Sequence, residues 1–121
     1  MRILVVDDDA VMKRVFSVML QRADFEVDVA EDGLVGVEMW EKGDYDLVLM
    51  DVQMPRMNGF EATSAIREKE RTRGGHTSIV AITAYALEKD KEECLAAGMD
   101  AYMSKPINFK KCIEMIHSII A

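Results

Sequence analysis

Several features are scarce or missing in this 121-residue sequence, and each absence excludes something. There are two cysteines, Cys94 and Cys112, with no CxxC spacing and no metal-type histidine nearby. A zinc module is therefore excluded, and both are expected as small buried hydrophobes in a reducing cytosol, ahead of a disulfide. No apolar run approaches the length that spans a bilayer. Met1–Val6 is apolar but too short for the core of a signal peptide, and acids follow at once. The expectation is a cytoplasmic protein without membrane insertion. Basic residues are in the minority, 15 against 22 acidic, for a net charge of −7. Such a surface repels phosphate backbones, which argues against direct nucleic-acid binding. There is no internal repeat and no low-complexity segment.

What is present is a core for one domain: half the residues are hydrophobic. The chain alternates between two periodicities. Ile3–Val6, Phe25–Ala30, Tyr45–Met50, Ser78–Thr83 and Ala101–Ser104 read as five strands. Between them, helices are expected over Ala10–Arg22, Leu34–Glu41, Phe60–Arg71 and Leu87–Ala97, with a last one opened by Pro106. In the first helix Met12, Val15, Phe16, Met19 and Ala23 form one face. In the last, Phe109, Cys112, Ile113, Ile116 and Ile120 form another. Asp32 suits the cap of the second helix, Gly43 its C-terminal stop, and Gly36 is an internal blemish costing about 1 kcal/mol against Ala. Strict alternation implies an α/β fold, with a parallel sheet and helices on both faces. The whole of 1–121 is expected to be one domain.

In a parallel sheet every strand C-terminus lies on one edge, and ligands bind there where strand order reverses. Asp7 and Asp8 follow the first strand, Asp51 the third, Thr83 ends the fourth and Lys105 follows the fifth. Converged carboxylates need a cation, and hard oxygen ligands select Mg²⁺ or Mn²⁺. A cation, a lysine and a hydroxyl together suit the holding of a phosphoryl group, with one carboxylate as nucleophile.

The ordered set Leu4-Val5-Val6-Asp7-Asp8, Leu49-Met50-Asp51-Val52-Gln53-Met54-Pro55, Ile82-Thr83-Ala84 and Lys105-Pro106 resembles the receiver domain of response regulators in two-component and phosphorelay signalling. Segments 80–86 and 94–106 resemble most the receivers of hybrid sensor kinases. The resemblance implies the flavodoxin-like (βα)5 fold with strand order 2-1-3-4-5, an order taken from that family. It implies that Asp51 accepts a phosphoryl group from a histidine kinase or histidine phosphotransfer protein. Mg²⁺ would be held by Asp8, Asp51 and the Gln53 carbonyl, with Asp7 acting mainly through water. Lys105 would contact the phosphoryl oxygens across a cis Lys105–Pro106 bond. Thr83 and Tyr102 would form the switch. Such a domain catalyses its own phosphorylation and dephosphorylation without independent turnover. Its output would pass through contacts, with a phosphorylation-dependent homodimer left open.

Some positions stand out against that pattern. Asn58 precedes Gly59 where the family usually has Asp, and its tolerance of left-handed backbone would preserve the turn. Asp9 is an extra acid, expected to cap the first helix. Gln53 and Tyr85 flank the site and would influence water access. Val11 and Val18, off the main stripe of the first helix, are either ordinary surface residues or a docking pair for a helical phosphodonor. The enzymatic rival is a haloacid-dehalogenase-type phosphatase, since Asp7-Asp8-Asp9-Ala10-Val11 resembles its DxDxV signature. That reading leaves Asp51 unexplained and lacks acidic metal ligands after Lys105. A flavin carrier of flavodoxin type would need a phosphate loop where three acids stand. A receiver used only for interaction is the remaining alternative.

Overall fold

The computed structural model describes residues 1–54, 56–84 and 88–120, with the backbone alone for 88–90. Pro55, Tyr85 and the expected helix start at Leu87 lie outside the described residues. The strands are β1 (Arg2–Val6), β2 (Glu26–Ala30), β3 (Leu47–Asp51), β4 (Ser78–Thr83) and β5 (Ala101–Ser104). The helices are α1 (Ala10–Arg22), α2 (Gly33–Lys42), α3 (Gly59–Arg73), α4 (Glu88–Ala97) and α5 (Phe109–Ile120). All pairings are parallel, in the order β2-β1-β3-β4-β5.

The alternation of β1 divides the core in two. Ile3 and Val5 face Phe16 and Leu20 of α1 and Cys112 and Ile116 of α5. Leu4 and Val6 face Val37 and Trp40 of α2 and Ala62 and Ile66 of α3. Every residue of β3 is buried, as a central parallel strand covered on both faces requires. Cys94 belongs to the second layer and Cys112 to the first, so the sheet lies between them. Both thiols are buried, and burial pushes the Cys112 thiol up to about 11. Among the described residues no helix is long and apolar enough to cross a membrane.

Some local expectations are corrected. Leu20, outside the expected stripe of α1, is fully buried beside Phe16, one turn away. Gly36 is no blemish: a Cβ there would lie 2.8 and 2.9 Å from the Val6 methyls, so glycine lets α2 approach β1. Gly43 caps α2 in extended backbone, φ −98°, and not in the left-handed conformation. Its place is set by the Tyr45 ring, 2.4 Å from where a Cβ would stand. Asn58 is likewise extended, φ −76°, and keeps the turn by capping. It accepts from the Glu61 N–H at 2.9 Å while Glu61 accepts from the Asn58 N–H at 3.1 Å. The left-handed residue of this loop is Arg56, φ 65°. Pro106 does not open α5; the helix begins three residues later at Phe109, with Asn108 accepting from the Lys111 N–H at 3.2 Å.

Candidate functional site

The C-terminal edge of the sheet assembles the site. The β1 ladder extends one residue beyond the strand, where the Asp7 N–H donates to Ala30 O at 3.1 Å. This places Asp7 beside Asp51, the last residue of β3. On the other side the Val52 N–H donates to Ile82 O at 3.0 Å, and the Lys105 N–H to Thr83 O at 2.7 Å. Backbone bonds beyond the strand ends thus set Asp7, Asp51, Thr83 and Lys105 in register. The Lys105–Pro106 bond is cis.

Carboxylate oxygens of Asp7, Asp8 and Asp51 lie within 4.8 Å of one another. Asp7 is 1% exposed and Asp51 4%, whereas Asp8 is exposed. Lys105 Nζ stands 3.6 Å from Asp51 Oδ2. The Gln53 N–H reaches Asp51 Oδ1 at a long 3.4 Å. Burial and the charge of Asp7 push the Asp51 carboxyl up to about 7, with Lys105 opposing them. Asp7 Oδ1 accepts from the Asp9 N–H at 2.9 Å, but its Oδ2 is buried with no hydrogen-bond partner among the described residues.

An orphaned anionic oxygen in a cluster of three carboxylates fits a hard divalent cation, and the all-oxygen donor set selects the same class. A cleft of about 340 Å³ is lined by Asp8, Asp9, Asp51, Gln53, Thr83, Ala84 and Lys105. Thr83 is 3% exposed on its wall. Tyr102 is partly buried two residues before the end of β5, with Lys91 Nζ 5.2 Å from its ring centre. It lines a different cleft from the acids, with Ser104, Pro106 and Lys111.

Asp9 is occupied elsewhere. Its Oδ1 accepts from the Val11 and Met12 N–H groups at 2.9 and 3.2 Å, as the N-cap of α1. The phosphatase reading needs that side chain as an acid and leaves Asp51, a buried member of the cluster, without a role. Sequence reasoning missed Arg56, which donates to Asp32 across 24 residues. Only the approach of two loops in space reveals that pair.

The response regulator receiver domain model matches residues 3–117. Hybrid signal transduction histidine kinase I of Dictyostelium discoideum is 39% identical over 124 residues, covering 98% of this chain. The chain spans about 7% of that kinase's length. Among solved structures, the receiver domain of sensor histidine kinase PA1611 from Pseudomonas aeruginosa, with magnesium coordinated in its active-site cleft, is 36% identical. It superposes with a TM-score of 0.89, covering 98% of this chain and 96% of that one. A chain of the co-crystal of the Saccharomyces cerevisiae phosphotransfer protein Ypd1 with the receiver domain of Ssk1 gives a TM-score of 0.90 at 28% identity. The coverage there is 96% of this chain and 86% of that one. Fold order, site geometry and the family match agree: the chain belongs to the response regulator receiver domain family of two-component and phosphorelay signalling.

Proposed function

We propose that residues 1–121 act as a cytoplasmic phosphoacceptor domain, with Asp51 taking a phosphoryl group from phosphohistidine. The observation that carries this is the cluster of Asp7, Asp8 and Asp51 within 4.8 Å, closed by Lys105 Nζ 3.6 Å from Asp51. An Asp51 carboxylate oxygen attacks phosphorus, a P–O bond forms, the P–N bond breaks, and the donor imidazole leaves. Water attacking the same phosphorus later returns Asp51 and inorganic phosphate, so the chain catalyses one cycle on itself without independent turnover.

Asp8, Asp51 and the Gln53 carbonyl would hold Mg²⁺ (or Mn²⁺), with Asp7 on a bound water. When bound, that ion supplies positive charge to offset the transferring phosphoryl oxygens. Lys105 places a fixed ammonium beside Asp51 for the same oxygens. Thr83 donates its hydroxyl to the new phosphate, and Tyr102 follows inward. The phosphate gives the inward arrangement contacts that the outward one lacks, which shifts the population. A phosphorylation-dependent homodimer is one route by which that shift would be read.

The donor is a histidine kinase or a histidine phosphotransfer protein. Val11 is 69% exposed on α1, and Val18, 40% exposed on the same helix, lines a shallow groove with Arg14, Val15 and Met19. An apolar stripe next to the acidic edge suits an amphipathic helix of the donor. Val11→Asp with Val18→Asp is expected to slow transfer from such a protein at least tenfold while leaving acetyl phosphate labelling unchanged. Unchanged protein-to-protein transfer would remove this face from the proposal.

The function is tested by intact-mass spectrometry after incubation with acetyl phosphate. The expected result is a Mg²⁺-dependent gain of one phosphoryl group that Asp51→Asn abolishes. A gain that survives in Asp51→Asn and vanishes in Asp7→Asn would restore the phosphatase-type reading.

A further inference from the structure

The loop from Val52 to Asn58 carries Gln53, and the structure shows how that loop is held. At its far end the Gly59 N–H donates to Val52 O at 2.9 Å, and a Cβ on Gly59 would lie 2.3 Å from Asp51 O. In its middle Arg56 sits at φ 65°, a conformation that side chains other than Gly and Asn rarely adopt. From there its guanidinium crosses to the loop after β2. Nε donates to Asp32 Oδ2 at 2.9 Å, a second nitrogen contacts the same oxygen, and Glu31 lies 3.9 Å away.

Asp32 is a fixed anchor. It is 3% exposed, and its Oδ1 accepts from the Val35 N–H at 3.0 Å as the N-cap of α2. The next residue brings the two loops into contact: a Cβ on Gly33 would lie 2.3 Å from Met57 O. The anchor is also tied to the acidic cluster, because Ala30 O, two residues before Asp32, accepts the Asp7 N–H at 3.1 Å. One latch therefore sets the Gln53 loop against the strand end that holds Asp7.

We propose that Arg56 and Asp32 are positioning residues for the divalent cation site, fixing the Gln53 carbonyl relative to Asp7 and Asp51. The inference rests on the phosphoacceptor reading given above. Outer residues that orient metal ligands commonly change affinity by about tenfold or more when removed.

The test is calorimetric titration of the full chain with Mg²⁺, alongside melting temperatures in EDTA, for wild type, Arg56→Ala, Asp32→Asn and the double variant. Asn keeps the α2 cap, so Asp32→Asn folds. With its oxygen on Val35 it turns an amide donor toward Arg56 and opens the latch. Each single change is expected to weaken Mg²⁺ binding roughly tenfold. The double variant is expected to be no weaker than the worse single, and Arg56→Lys to recover part of the loss.

A pure charge effect gives opposite signs: Arg56→Ala would tighten Mg²⁺ and Asp32→Asn would loosen it. That outcome overturns the inference, as does unchanged affinity with a lowered melting temperature. A wild-type chain that binds no Mg²⁺ overturns the phosphoacceptor reading along with it. Wild-type binding lost in Asp51→Asn but equal in the latch variants overturns the latch alone.

Discussion

Asp51→Asn is expected to stabilise the metal-free domain by about 2 kcal/mol above neutral pH, measured by urea denaturation in EDTA. Asp7 and Asp51 are both buried and their carboxylates share one site, so ionising both costs free energy. The Asp51 carboxyl is pushed up to about 7 from 3.8, first by burial and then by Asp7. A carboxyl raised on folding binds its proton more tightly in the native state than in the unfolded one. Stability therefore falls as pH rises between the two values. The penalty is absent below about pH 4, grows toward 7 and is complete above it. The wild type and Asp51→Asn should accordingly converge in acid and separate on the way to neutrality. Saturating Mg²⁺ should reverse the order, adding about 2.7 kcal/mol to the wild type at a hundred times its dissociation constant and far less to the variant. Equal stability of the two proteins at both pH extremes in EDTA would mean that the cluster carries no stored repulsion.

The parts of this architecture that local chemistry dictates were legible in the sequence. Asp9 and Asp32 each stand before an amphipathic run, and both cap the helices expected of them. The apolar run Tyr45–Met50 reads as a strand, and β3 runs from Leu47 to Asp51 with every residue buried. The strand order itself came from the family resemblance, because periodicity does not say which strands are neighbours. Other features depend on contacts between distant segments and leave no local signal. The reason for Gly36 is the Val6 side chain beneath it. Leu20 is buried in the layer that α1 shares with β1 and α5, and the spacing of apolar residues alone favoured Met19 and Ala23. A capping box satisfies Asn58 in extended backbone, and the left-handed conformation falls on Arg56, which no local signal singles out.

A polar network at the opposite end of the sheet was equally invisible, and it supports the largest stability effect. Arg67→Ala is expected to cost about 3 kcal/mol, roughly 10 °C in melting temperature. Arg67 Nε donates to Gly98 O at 2.9 Å, and one terminal nitrogen reaches Glu70 Oε1 at 2.6 Å and Thr77 O at 2.8 Å. The other terminal nitrogen reaches Asp100 Oδ2 at 2.9 Å. One guanidinium thus joins α3 to the starts of β4 and β5. The two acids are themselves committed: Glu70 Oε2 accepts from the Thr77 N–H at 2.6 Å and Asp100 Oδ2 from the Ile79 N–H at 2.7 Å. His76 adds a 2.7 Å contact to Asp100 but is mostly exposed and contributes little. Removing Arg67 leaves Glu70, 7% exposed, with its charge unopposed, and leaves two carbonyls without their donor. Arg67→Lys should recover only a minor part, because one ammonium cannot span four acceptors in the guanidinium's fork. The network lies at the N-terminal end of β4, whereas Thr83 closes its C-terminal end, on the edge of the sheet where the acids lie. Acetyl phosphate labelling per folded molecule should therefore match wild type at low temperature. A loss below about 1 kcal/mol would show that water replaces the guanidinium, and a loss of labelling in the folded variant would show that the two ends of the sheet are coupled.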